Sequence, residues 1–224
     1  SRSRKLLAEK MRELWVGAGI YDAIEVAAEK IHAQKAWNDG WLAVREIITL
    51  DSKTLNEEVL EKLLKLEKSL KPVNLLEKAR VFALSNQFDR LDIENYFDQE
   101  DDELSSWKRA DKITRELGFQ VAQDSETFNA FLPELVSTYS SRLYLFGQGL
   151  ADGCDNKPVL WEILYNQLKK TDPEKREYIV LAGYLSSSAD SDPEFYNSTL
   201  DSLINDEYLG KWFPFFQDTT KIDR

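Results

Sequence analysis

Glu29 and His32 stand three residues apart, the Glu-x-x-His spacing that puts a carboxylate and an imidazole on one face of a helix. Carboxylate-bridged di-iron bundles use that pair twice, so they need two histidines. His32 is the only one, and no self-contained site of that kind can form. Zinc sites rich in histidine fail by the same count, and Cys154, the only cysteine, adds one soft ligand. A Cys–His nucleophile pair would need these two residues to meet across 122 positions of chain. Both read as structural residues, His32 on an amphipathic helix and Cys154 as a small packing side chain.

Three further patterns have a chemical reading. Gly147, Gly149 and Gly153 make G-x-G-x-x-x-G after Arg-Leu-Tyr-Leu-Phe, which could be a strand and phosphate loop. No further βαβ pattern accompanies it, and no GxxxxGK[ST] occurs, so tight helix packing is the expectation. Asp98 to Trp107, DQEDDELSSW, places five carboxylates in six residues. All-α enzymes that bind magnesium diphosphate need a second such cluster opposite, and none is evident. This one reads as a solvated acidic connection. Asp190-Ser-Asp192 lacks the central Gly and terminal Glu of a calcium loop, and it reads as a turn. No catalytic, cofactor-binding or metal-binding residue is assigned, and no cofactor is expected.

The elements that position these residues are helical. Apolar residues recur at i, i+3, i+4 and i+7. The pattern predicts helices over Lys5–Gly17, Tyr21–Gln34, Trp41–Leu50, Leu75–Leu84, Ser105–Leu117, Glu126–Val136, Leu143–Ala151, Pro158–Lys170, Glu174–Ser186, Pro193–Asn205 and Tyr208–Phe216. Another opens at a capping box, Thr54-Leu-Asn-Glu57, and ends before Pro72. Asp172-Pro173 and Asp192-Pro193 each read as an N-cap followed by proline at the first helical position. The chain divides into helical hairpins over 1–86, an acidic connection over 87–104 and helical repeats over 105–224, forming one continuous solenoid.

The repeat is legible at a shift of 35. Leu143 falls on Tyr178, Phe146 on Leu181, Leu150 on Leu185, Cys154 on Ala189, Pro158 on Pro193, Trp161 on Tyr196 and Leu168 on Leu203. Each copy is a helix, a polar turn and a second helix. Such a pair buries its apolar face only by stacking on a neighbour. Within Pro158–Lys170, Val159, Leu160, Ile163 and Leu164 form one apolar stripe, and Trp161, Tyr165 and Leu168 form another. A surface helix has one stripe, so this one is expected to lie between neighbours. The expected fold is an all-α, HEAT-like α-solenoid of stacked antiparallel helix pairs.

Charge and composition limit the partners. Of 224 residues, 42% are hydrophobic and 31% charged, with a net charge of −11. Residues 1–86 carry 15 Lys and Arg against 13 Asp and Glu, whereas residues 87–224 carry 14 against 27. That acidic part repels phosphate backbones, so neither nucleic acid nor an anionic membrane is an expected partner. No apolar run approaches the ~20 residues of a membrane helix. One cysteine and no basic-then-apolar leader point to a reducing, cytoplasmic setting. Residues 87–224 also hold 21 of the 26 aromatics, among them Trp212, Phe213, Phe215 and Phe216 of WFPFF. These form either a buried packing layer or a surface left for a neighbour.

LLEKARVFALSNQ, SETFNAFLPELV, LYLFGQGLADG and GKWFPFFQ together resemble the helical-repeat region that follows the ATPase domain in large bacterial signal-transduction P-loop ATPases with numerous domains. The resemblance runs over residues 40–217. It implies a sensor or scaffold that binds a protein partner or a neighbouring domain, and several such proteins act in antiphage defence. No ATP site is transferred. The chain begins at Ser1 with a helical pattern almost at once, as a segment of a longer protein would. The competing expectation is an all-α enzyme using the acidic segment for magnesium-dependent chemistry.

Overall fold

The computed structural model of the protein describes residues 2–85 and 106–217, and every regular element among them is helical. The contacts divide the chain into two compact units, with the first division between Glu77 and Lys78.

The first unit holds α1 (Arg2–Arg12), a π-helical turn (Glu13–Gly17), α2 (Tyr21–Gln34), α3 (Asn38–Asp51), α4 (Glu57–Leu70) and the start of α5 (Leu75–Leu84). α1 packs on α3, α3 on α4, and α2 on α4. The side chains between them are large: Met11, Trp15, Trp37, Trp41, Ile47 and Leu63 are all fully buried. The π turn lets Trp15 enter that core and meet the edge of Tyr21 at 5.3 Å. Gly19 then takes a positive φ of 67°, which a β-carbon would strain, and starts the chain back into α2. Polar links join the helices at their margins. Arg12 grips Asp51 through two bonds of 2.7 and 2.9 Å, and the Trp41 indole donates to Glu67 at 2.8 Å.

The expected capping box is not what opens α4. Asn56 is the cap, accepting from the Val59 amide at 2.9 Å, while the Thr54 hydroxyl donates back to the Asp51 carbonyl. Thr54 serves the end of α3 because a one-turn connection brings that orphan carbonyl within its reach.

The second unit holds the rest of α5, then α6 (Ser106–Gln123) from Lys108 onward, α7 (Ser125–Leu135), α8 (Leu143–Asp152), α9 (Lys157–Lys170), α10 (Ile179–Ser191), α11 (Pro193–Leu203) and α12 (Phe213–Gln217). α8 lies between α6 and α10, and the contacts are backbone on backbone. A β-carbon on Gly147 would stand 2.2 Å from the Val180 carbonyl oxygen of α10. One on Gly149 would stand 2.0 Å from the Arg115 carbonyl oxygen of α6. Two residues along a helix turn the chain by about 200°, so these glycines face opposite neighbours. Gly153, one turn beyond Gly149, meets Phe119 of α6. The facing helices answer with Gly118 and Gly183, the latter against the Tyr144 backbone. The G-x-G-x-x-x-G pattern is thus helix packing, as expected, and not a phosphate loop.

Several boundaries differ from the sequence pattern, and those of α6 and α10 differ for identifiable reasons. α6 runs through Gly118 to Gln123, because that glycine meets α8 and does not end its helix. Asp172-Pro173 opens only a single 3-10 turn, Pro173–Lys175, and α10 starts at Ile179. Arg176 explains the delay. Its guanidinium donates to the carbonyls of Leu168, Lys169 and Thr171, closing the end of α9. The Glu177 amide donates to the Val136 carbonyl at 2.9 Å. Both residues are held out of helical geometry by those bonds. Asp192-Pro193 does open α11, with the Asp192 carboxylate accepting from the Phe195 amide at 3.2 Å.

Candidate interaction surface

The residues considered for catalysis belong to different units and take structural roles. His32 sits in the last turn of α2, where Nδ1 accepts from the Trp37 amide at 3.4 Å. Cys154 is half-buried in the second unit, beside Tyr184. Burial holds the Tyr184 hydroxyl well above the ordinary phenol range, and it donates to the Lys157 carbonyl at 3.0 Å. Among the described residues no group of three or more His, Cys, Asp or Glu converges as a metal site would. The acidic run Asp98–Glu103 lies outside the described residues.

The last described elements of the second unit join an aromatic cluster. Trp161 of α9 is only 6% exposed and sits 6.4 Å from each of Tyr184, Phe195 and Phe216. Phe216 is therefore a packing residue, as one reading of WFPFF requires. Trp212 stacks on Tyr178 at 4.3 Å, and Phe215 stands 5.3 Å from the same ring. Phe215 nevertheless remains 54% exposed. So the motif is split: one aromatic enters the core, and another faces out.

Polar bonds hold this end in place. The Tyr165 hydroxyl donates to Asp206, whose other carboxylate oxygen accepts from the amides of Tyr208 and Leu209 at 2.9 and 2.7 Å. That turn breaks the single helix expected over Tyr208–Phe216 into a 3-10 turn, Gly210–Trp212, and the short α12. The Arg176 guanidinium lies 4.9 Å over the Tyr208 ring, and the Lys211 ammonium 5.0 Å over Trp212. Burial pushes the Glu177 carboxyl and the Tyr178 hydroxyl up from their ordinary values. Tyr139, in the turn after α7, is 65% exposed and close enough to Tyr178 to influence its titration.

This face therefore combines the exposed Tyr139 and Phe215 with the half-buried Tyr178 and Trp212, beside the cations of Arg176 and Lys211. Aromatic residues backed by a packed layer are the side chains that interfaces favour, because they bury much area at little entropic cost. WFPFF was visible in the sequence as a cluster. Tyr139 carries no such signal, being a lone aromatic in a polar turn.

No protein-family model, curated protein or solved structure matches the chain. No helix among the described residues is long and apolar enough to cross a membrane.

Proposed function

We propose that this chain is a non-catalytic interaction or sensor scaffold, a HEAT-like solenoid of stacked helix pairs that binds a protein partner or a neighbouring domain. The observation that carries this reading is an exposed aromatic face on a unit in which α8 meets both α6 and α10 at backbone contact. Stacked hairpins bury their apolar faces against each other, and a terminal unit needs a polar outer face to stay soluble alone. Here Phe215 and Tyr139 are aromatic and exposed where a further element would pack. The acidic balance of residues 87–224 favours a protein over a nucleic acid as the occupant. The resemblance in LLEKARVFALSNQ and LYLFGQGLADG supports a place within a large bacterial ATPase, of the kind that serves antiphage defence.

The test is site-specific photo-crosslinking in cells. A photoreactive phenylalanine at position 215 should yield a discrete adduct with another protein or domain. The same group at Asn129, exposed on α7, should not. Equal labelling at both positions, or none at either, rejects the scaffold reading. Magnesium addresses the rival enzyme reading. A ligand that binds only the folded state raises the melting temperature, so a scaffold should show no magnesium-dependent rise.

A further inference from the structure

Tyr178 and Trp212 also line a small cavity of about 110 Å³, together with Arg176, Tyr208 and Lys211. Pockets for free small molecules run from roughly 300 to 1,000 Å³. This one has room for the head of a single side chain.

Its arginine differs from three others in the unit. Arg80 pairs with Glu134, Arg115 with Asp152, and Arg142 with Asp111. Arg176 is half-buried, and its bonds run from Nε and Nη2 to three backbone carbonyls, with the Tyr208 ring 4.9 Å away. It meets no carboxylate among the described residues. Carbonyls satisfy donors without neutralising charge, and none of these bonds uses the two N–H groups of Nη1. A partly desolvated cation without a counter-charge is costly, and an anion in the cavity would offset that cost. Lys211 repeats the pattern. It is exposed, stands 5.0 Å over the Trp212 ring and pairs with no carboxylate among the described residues.

The cavity therefore offers one anion two cations and aromatic walls. Glu207 also lines it and opposes an anion, but Glu207 is exposed, so solvent weakens that opposition. The surroundings decide what carries the anion. Phe215 and Tyr139 lie near Tyr178 and remain exposed, and a free ion would leave them so. A polyanion is repelled by residues 87–224, with 27 Asp and Glu against 14 Lys and Arg. A single carboxylate between apolar side chains meets both conditions.

We infer that this cavity takes one Asp or Glu carboxylate of a protein partner, held by Arg176 and Lys211. The apolar residues on either side of that carboxylate lie against Trp212, Phe215 and Tyr139. This deepens the scaffold reading, by naming the partner's chemistry, and rests on it.

The test uses the whole chain and a fluorescent nonapeptide with one Glu between two Phe in a Gly and Ser background, read by anisotropy. The control peptide has Gln in place of that Glu. The Glu peptide should bind, and the Gln peptide should bind at least tenfold more weakly. Lys211→Glu should weaken binding of the Glu peptide at least tenfold. Lys157→Glu makes the same charge change at the opposite end of α9, about 20 Å from its last turn. In about 0.1 M salt, where charges are screened over ~10 Å, it should change binding less than twofold. Arg176→Gln should also weaken binding at least tenfold. That variant loses bonds that close α9, so its circular dichroism is compared with the parent, and Lys211→Glu keeps the test decisive if it unfolds. Inorganic phosphate should not displace the peptide at equal concentration. Equal binding of the two peptides overturns the inference. So does equal weakening by Lys211→Glu and Lys157→Glu, which would indicate diffuse charge, and so does displacement by phosphate, which would indicate a plain anion site. If Phe215 still crosslinks under any of these results, the scaffold reading survives and the cavity assignment alone is lost.

Discussion

The two units bury their helices in opposite ways. In the first, helices are held apart by large side chains, with Trp15, Trp37, Trp41 and Leu63 filling the space between them. Its glycines do not lie closest to backbone: Gly17 has nothing near it, and Gly40 lies closest to the Trp37 ring. In the second, Gly118, Gly147, Gly149, Gly153 and Gly183 let backbones touch. Hydroxyl bonds then join α8 and α10 directly, from Tyr144 to Ser186 at 2.8 Å and from Ser187 to Asp152 at 2.6 Å. A core of large side chains can adjust by changing rotamers. A backbone contact cannot, so the second mode fixes which helix follows which and at what register.

The comparison can be broken at several points. The largest effect is expected at Trp161, where the second unit does rely on a bulky side chain. Trp161→Ala should cost roughly 3–5 kcal/mol in chemical denaturation, the usual range for a buried large aromatic. A near-zero loss would remove Trp161 from the packing layer and make it a binding residue alone.

Gly183→Ala comes next. The added carbon would stand 1.9 Å from the Tyr144 carbonyl oxygen, so α8 and α10 must move apart. A loss near the upper end of the 1–3 kcal/mol range for overpacking is expected, from the same measurement. A neutral result would show that the backbone contact is not what sets this register.

The Arg12–Asp51 link sharpens the view of the first unit. The hydrogen bond from Arg12 holds the Asp51 carboxyl below its ordinary value. A lowered folded-state pKa contributes stability that is present above the unfolded value and lost as pH falls through the lowered one. Asp51→Asn should therefore be less stable than the parent near neutral pH, and the two melting temperatures should converge in acid. A gap that stays constant with pH would mean that shape, not charge, matters at Asp51.

Gly17→Ala should have the smallest effect and the opposite sign. No heavy atom lies within 4 Å of the position a β-carbon would take, and the residue ends a helical turn. A gain of about 0.5 kcal/mol is expected from reduced freedom of the unfolded chain. A loss as large as that at Gly183 would erase the distinction between the two units.

Much of this was legible in the sequence for local reasons. Helical periodicity located every helix among the described residues, and α2 and α5 have the expected limits. The Asp192-Pro193 cap works within four residues, so its chemistry is readable from those residues alone. Asp172-Pro173 has the same chemistry and opens only one turn, because Arg176 and Glu177 are bonded to carbonyls of other elements. The shift of 35 placed Trp161 and Tyr196 as buried residues, and both are. It did not foretell that Val159 and Ile163, which share an apolar stripe of α9 with Leu160 and Leu164, would remain exposed.

Sequence alone thus determined the helical class, the Asp192 cap and the lack of a second histidine for a self-contained di-iron site, since these follow from residue counts and from interactions along one segment. Tertiary structure decided what each glycine is for, and which aromatics of WFPFF face out. It also brought the Asp206 carboxylate to the Tyr165 hydroxyl of α9. The physical reason is the same throughout. A glycine, an aromatic or a carboxylate takes its role from the group opposite it, and that group belongs to a different helix, brought there only by packing.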